Sequence, residues 1–126
     1  MAPVTALLFR HRLPTLTTTQ FRDYMEDTHV PLVKSLLSPK HPLTHTRYYT
    51  NKDSGHVIGS PSPTDVDLIA VITFESEEAM QQSLQARQAD GTREIIEADE
   101  SKFLDRSKVQ FVALGGVDVR TSAREE

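Results

Sequence analysis

The chain has 126 residues, enough for one domain with one core, and its 37% hydrophobic and 25% charged residues are an ordinary soluble balance. A formal net charge of −4, with the basic residues scattered, leaves no electrostatic footprint for nucleic acid or an anionic membrane surface. The absence of cysteine excludes disulfides, thiolate metal sites and a cysteine nucleophile, and no apolar run is long enough to span a bilayer. Residues 1–10 lack the charged-then-apolar layout of a secretory signal, so a cytoplasmic location is expected.

Ala6 to Arg12 reads as a first strand, stopped at Pro14. Thr17-x-x-Gln20 then matches a capping box and opens a helix toward Leu37. At about 100° per residue, Phe21, Met25, Leu32 and Leu36 fall on one stripe, with His29 within about 40° of Met25. Pro31 lacks an N–H and clashes with the preceding turn, which predicts a kink or break at Val30. Thr44 to Asn51 alternates and is rich in β-formers, a second strand. From 52 to 64 the chain is turn chemistry throughout, a long loop of the kind that often serves as a lid.

Asp67 to Phe74 is a third strand whose non-alternating apolar run predicts burial on both faces. Ser76, followed by Glu77 and Glu78, is an N-cap with acidic residues in the first turn, and Ala79, Met80, Ser83 and Leu84 form that helix's inner face. Gly91-Thr92 restarts a helical pattern with Ile95, Ile96, Asp99 and Phe103 on one side. Val109 to Leu114 is the fourth strand, ended by Gly115-Gly116, and residues 117–126 form a loose polar tail after a domain of residues 1–116. The order β-α-β-β-α-β predicts an α+β, ferredoxin-like antiparallel sheet with helices on one face. Its second face also needs cover, and a second copy packed sheet against sheet would give a homodimer.

His29, aimed at the core, is either a satisfied structural group or the acid/base of a buried pocket. His45, Arg47 and Tyr49 share one face of the second strand, either solvated or lining a pocket wall where Arg47 could hold a carboxylate or phenolate bidentately. Tyr24 lies about 140° round the helix from His29, so the two share a face only if the helix distorts. Phe9 and His11 share one face of the first strand, Arg10 and Arg12 the other. Asp67 and Asp99 could each orient an imidazole or serve as a cap. The spacing of the five histidines supports no metal site, and no phosphate loop, dinucleotide fingerprint or nucleophile elbow is present.

Three blocks together resemble an EthD-domain protein of the dimeric α+β barrel superfamily: Phe21-Arg22-Asp23-Tyr24 followed by His29-Val30-Pro31-Leu32; Asp65 to Leu68 through Phe74 to Met80; and Ala98 to Asp105. The resemblance implies a cofactor-free homodimer of the polyketide-tailoring type, with decarboxylases, dehydratases, cyclases and oxygenases among its relatives. It points to His29 as general acid/base. The candidate catalytic residues are then His29 and His45, and the candidate substrate-binding residues Phe9, Tyr24, Arg47, Tyr49 and Asp67. The expected reaction is decarboxylation or dehydration of a small aromatic or poly-β-keto polyketide in secondary metabolism. A cofactorless oxygenase or cyclase, and a non-catalytic small-molecule-binding barrel, are its rivals. No metal, cofactor, nucleic acid or membrane partner is expected.

Overall fold

A computed structural model of the chain describes residues 3–50, 66–114 and 119–124, so the expected lid at 52–64 lies outside the described residues. Four strands, β1 (Val4–Arg10), β2 (Thr44–Tyr49), β3 (Leu68–Phe74) and β4 (Gln110–Ala113), form one antiparallel sheet in the order β2-β3-β1-β4. Helices α1 (Thr18–Tyr24), α2 (Val30–Leu37), α3 (Glu77–Gln88) and α4 (Thr92–Glu100) supply the other layer. The α+β, ferredoxin-like arrangement expected from the element order is the one observed. No helix among the described residues is long and apolar enough to cross a membrane.

Local chemistry sets the helix starts where the sequence places them. Thr17 Oγ1 accepts the Gln20 N–H while the Gln20 side chain accepts the Thr17 N–H, a reciprocal cap of two otherwise free donors. Ser76 Oγ accepts the Ala79 N–H at 3.1 Å to open α3. Gly91, at φ +86, makes the sharp entry to α4 in a conformation that costs glycine little.

Between α1 and α2 the sequence expectation needs correcting. The chain does not break at Val30, which is helical (φ −60, ψ −48); instead Met25–His29 form one π turn, closed by the Val30 N–H on the Met25 carbonyl. A π turn closes with an i→i−5 bond and absorbs one extra residue, so everything after it lags by about one α-helical position. The buried stripe accordingly runs Phe21, Met25, His29, Val33, Leu37, and the expected Leu32 and Leu36 are only half-buried. Along α4, similarly, Ile96, Asp99 and Glu100 are buried while Ile95 is exposed.

Strand alternation divides the sheet. Ala6, Leu8 and Arg10 of β1, Leu68, Ala70, Ile72 and Phe74 of β3, and Phe111 of β4 face the helices. Phe21 and Phe103 pack with their ring centroids 5.8 Å apart beneath one end of this face, fully buried, each worth roughly 1.5–3 kcal/mol of burial. Val4, Ala6, Phe74 and Met80 close the other end. Between the two clusters the helices stand off the sheet and leave a cavity of about 310 Å³.

Candidate active site

His29 closes the π turn and lines the cavity. Its Nδ1 lies 2.8 Å from Oδ2 of Asp99, in the last turn of α4, and both side chains are more than nine-tenths buried. A carboxylate can only accept, so the imidazole proton sits on Nδ1 and Nε2 carries the lone pair. That nitrogen is 3.9 Å from Glu100 Oε2, beyond hydrogen-bond reach, and is free to take a proton from a ligand. Tyr24 donates its phenol to the other oxygen of Asp99 at 2.5 Å, and burial together with this bond pushes the Tyr24 pKa up to about 12. Phe103 packs against both rings, at 5.0 Å from His29 and 4.7 Å from Tyr24. Burial draws the His29 pKa below its ordinary value, while Asp99 and Glu100 oppose that shift.

On another wall stands His45, which follows the cavity-facing register of β2 opposite Ile72. Arg47 Nη1 lies 3.3 Å from His45 Nδ1 and 2.9 Å from the His45 carbonyl. A guanidinium only donates, so here Nδ1 accepts and the proton sits on Nε2, the reverse of His29. Arg47 is held in turn by Glu26 of the π turn, Nε to Oε2 at 2.5 Å and Nη2 to Oε1 at 2.8 Å, and Tyr49 donates its hydroxyl to the same carboxylate. The Arg47 bonds hold the Glu26 pKa down. Burial first, and the Arg47 charge after it, push the His45 pKa down to about 4.

A third group was not singled out by the sequence reading. Glu100, buried at the end of α4, lies 3.4 Å from Arg10 Nη2, 3.2 Å from Arg87 Nη2 and 3.3 Å from Arg106 Nε. All four residues line the cavity, and three guanidinia around one carboxylate leave that wall with a cationic excess. Strand alternation is the signal that points to Arg10, which stays in phase with Ala6 and Leu8. Nothing in the local sequence marks Glu100, because its partners come from β1, α3 and the turn at Arg106–Lys108.

The other candidates are placed as follows. Tyr24 joins His29 on one carboxylate because the π turn brings residues five apart to one side; it reaches Asp99 and does not line the cavity. Phe9 is corrected: it is out of phase with Leu8 and Arg10 and stands on the sheet face away from the cavity. The expected bidentate role of Arg47 toward a ligand is corrected too, since Glu26 fills its fork, and neither Arg47 nor Tyr49 lines the cavity. Asp67 accepts the Arg12 backbone N–H at 2.9 Å and lies 3.3 Å from Arg12 Nε, tying the start of β3 to the chain just past β1, away from the pocket. Asp99 is thus the carboxylate that orients an imidazole. Among the described residues, no group of three or more His, Asp or Glu side chains is arranged to hold a metal ion.

The EthD domain family matches residues 13–107. Among solved structures, an EthD family protein of Bacillus halodurans is 18% identical, with 89% of this chain and 97% of that chain covered and a TM-score of 0.55. A mutant of SnoaB, a cofactor-independent oxygenase from Streptomyces nogalater, is 9% identical over 94% of this chain and 97% of its own, TM-score 0.58. A dimeric ferredoxin-like protein of unknown function from Thermobifida fusca is 12% identical over 89% of each chain, TM-score 0.53. No curated protein matches the chain in sequence.

Proposed function

The chain belongs to the EthD domain family, and we propose that it is a cofactor-independent lyase, a decarboxylase or dehydratase, acting on an aromatic or poly-β-keto polyketide of secondary metabolism. The observation that carries this reading is the buried His29–Asp99 pair, with His29 lining the cavity and its Nε2 outside hydrogen-bond reach of Glu100. An imidazole oriented by a carboxylate is a general acid/base that needs no metal or cofactor beside it. A β-keto acid contains its own electron sink. His29 Nε2 would take the carboxylic acid proton, the bond to the carboxyl carbon would break with loss of CO2, and the electron pair would move onto the β-carbonyl oxygen. The imidazolium, stabilised by Asp99, would return the proton to the α-carbon.

Two further features support an acidic, ring-bearing substrate. The walls contributed by Leu8, Val33, Leu68 and Ile72 are apolar, while the Arg10–Arg87–Arg106 side offers positive charge for a carboxylate. The cavity volume is at the lower end of the roughly 300–1,000 Å³ of small-molecule sites. A second reading, a cofactorless oxygenase, is favoured by the fold likeness to SnoaB.

The same proposal extends to assembly. On the sheet's outer face Leu7, Phe9, Ile69 and Val71 are half-buried, and Tyr48 and Val112 are 59% and 44% exposed. A second copy would cover this apolar face, and the fold likeness to a dimeric protein agrees with that. The test of function is mass spectrometry of aromatic β-keto acids incubated with wild type, His29→Ala or no protein, with and without oxygen. Oxygen-independent loss of CO2 or water that requires His29 is the expected result; gain of oxygen atoms would move the assignment to the oxygenase.

A further inference from the structure

We propose that His45 is a second catalytic residue, a neutral hydrogen-bond donor whose Nε2–H meets the substrate oxygen on which negative charge develops as His29 moves the proton. The inference rests on the reading of His29 as the acid/base and adds the partner that such chemistry requires. Proton removal beside a carbonyl, or loss of CO2 from a β-keto acid, leaves an enolate, and the enolate oxygen needs a preorganised donor inside a dry site. Of the two imidazoles described above, only His45 carries its proton on the nitrogen remote from its protein partner.

The lock on that tautomer is built in two steps. Glu26 occupies Nε and Nη2 of Arg47, which fixes the plane of the guanidinium and leaves Nη1 to face the His45 carbonyl and Nδ1. Protonating Nδ1 would set an N–H against an N–H beside a cation. The groups around His45 act in the same direction: Arg47 on β2, His41 on the connector before it and Arg87 on α3 all disfavour a charged imidazole, and Glu26 alone opposes them. A histidine held neutral cannot act as an acid by giving up an imidazolium proton, but it can polarise a carbonyl and hold an enolate. Arg47 and Glu26 are positioning residues: their hydrogen-bonding groups are taken up by each other, by Tyr49 and by His45.

The π turn thereby serves both walls. Glu26 fixes Arg47, and His29, three residues later, faces the cavity. The ligand class that fits is a carbonyl compound able to become an enolate or phenolate, with its reacting carbon at His29 and its oxygen at His45.

The test uses the full chain in three measurements. Side-chain 15N NMR should find the proton of His29 on Nδ1 and that of His45 on Nε2, and in Arg47→Leu the His45 tautomers should become mixed. A Gln amide can place an N–H near the position of Nε2, so His45→Gln should lose less than about tenfold in kcat, whereas His45→Ala should lose about 10²–10³ with KM little changed. The third measurement titrates 4-nitrophenol bound in the cavity by absorbance, because its phenolate imitates the enolate. Its ionisation should be favoured in wild type and His45→Gln and lose that advantage in His45→Ala. A proton on Nδ1 of His45, equal damage from Gln and Ala, or a phenol ionisation indifferent to His45→Ala would each overturn the proposal. The NMR and phenol experiments need no turnover, so failure of the lyase reading and failure of the His45 role are separable; if 4-nitrophenol does not bind, the tautomer decides.

Discussion

Two walls of one cavity carry the same side chain with opposite neighbours. Behind His29 stands a carboxylate, Asp99; behind His45 stands a guanidinium, Arg47. The carboxylate accepts the Nδ1 proton and leaves Nε2 as the basic nitrogen, whereas the guanidinium fills the lone pair of Nδ1 and leaves Nε2 as the donor. Burial draws both imidazoles toward the neutral form, but at His29 two carboxylates oppose it and at His45 the nearest charge reinforces it. Residue identity therefore says little about role here; the second group in each pair decides it.

The largest effect expected from breaking this contrast is at His29. His29→Ala should lower turnover about 10²–10⁴-fold, and His29→Gln should not rescue it, because an amide is no base. Rescue by Gln at His29 as well as at His45 would show the two walls to be equivalent. Next comes Asp99→Asn, which can turn an N–H toward Nδ1 and make the first wall resemble the second. Turnover should fall on the order of 10²-fold or more, with 15N NMR finding the His29 proton moved to Nε2. Full activity with a moved proton would remove His29 from the chemistry.

Acid stability sharpens the contrast. The folded-state pKa of His45 is depressed from 6.5 to about 4, so the unfolded chain binds the extra proton first. The stability this contributes is complete above pH about 6.5 and is lost as pH falls from there to about 4, on the order of 3 kcal/mol. Denaturant melts of wild type and His45→Gln at pH 7 and pH 4 should converge by about that amount; parallel curves would mean that the imidazole is solvated. His29 contributes in the same direction over its own window below 6.5.

A smaller change is expected from Tyr24→Phe, which removes one donor from Asp99 while leaving His29 on the other oxygen. A stability loss of about 1 kcal/mol, with kcat within a few-fold of wild type, would show Tyr24 to be a support of the pair. Smallest in its effect on the contrast is Phe9→Glu on the outer sheet face. It should convert a dimer to a monomer by light scattering and leave both tautomers where they are; an unchanged mass in wild type and variant would sink the sheet-to-sheet assembly.

Much of the frame was legible along the chain because its causes are local. Thr17 and Ser76 carry their caps within three residues, and the β-former runs at 44–49 and 68–74 need no distant partner to be recognised. The π turn was not legible. Pro31 predicts trouble in the helix, but an extra residue taken up before it and a break after it are alternatives that only packing resolves. With that register came the move of the buried stripe from Leu32 and Leu36 to Val33 and Leu37. Arg10 shows a further limit: alternation placed it correctly opposite Phe9, but only the sheet pairing tells which face is inside.

By itself the sequence determined the element order, hence the α+β class, and it determined that a histidine would lie on the buried side of the first helical run. Those follow from periodicity, caps and turn residues, which act over a few positions. The tertiary structure decided what each histidine can do. Asp99 is 70 residues from His29 and reaches it only when α4 packs beside the π turn. Arg47, two residues from His45 in the sequence, is held against it by Glu26, 21 residues back. A tautomer is chosen by whichever donor or acceptor lies within about 3 Å, and that proximity is a property of the fold.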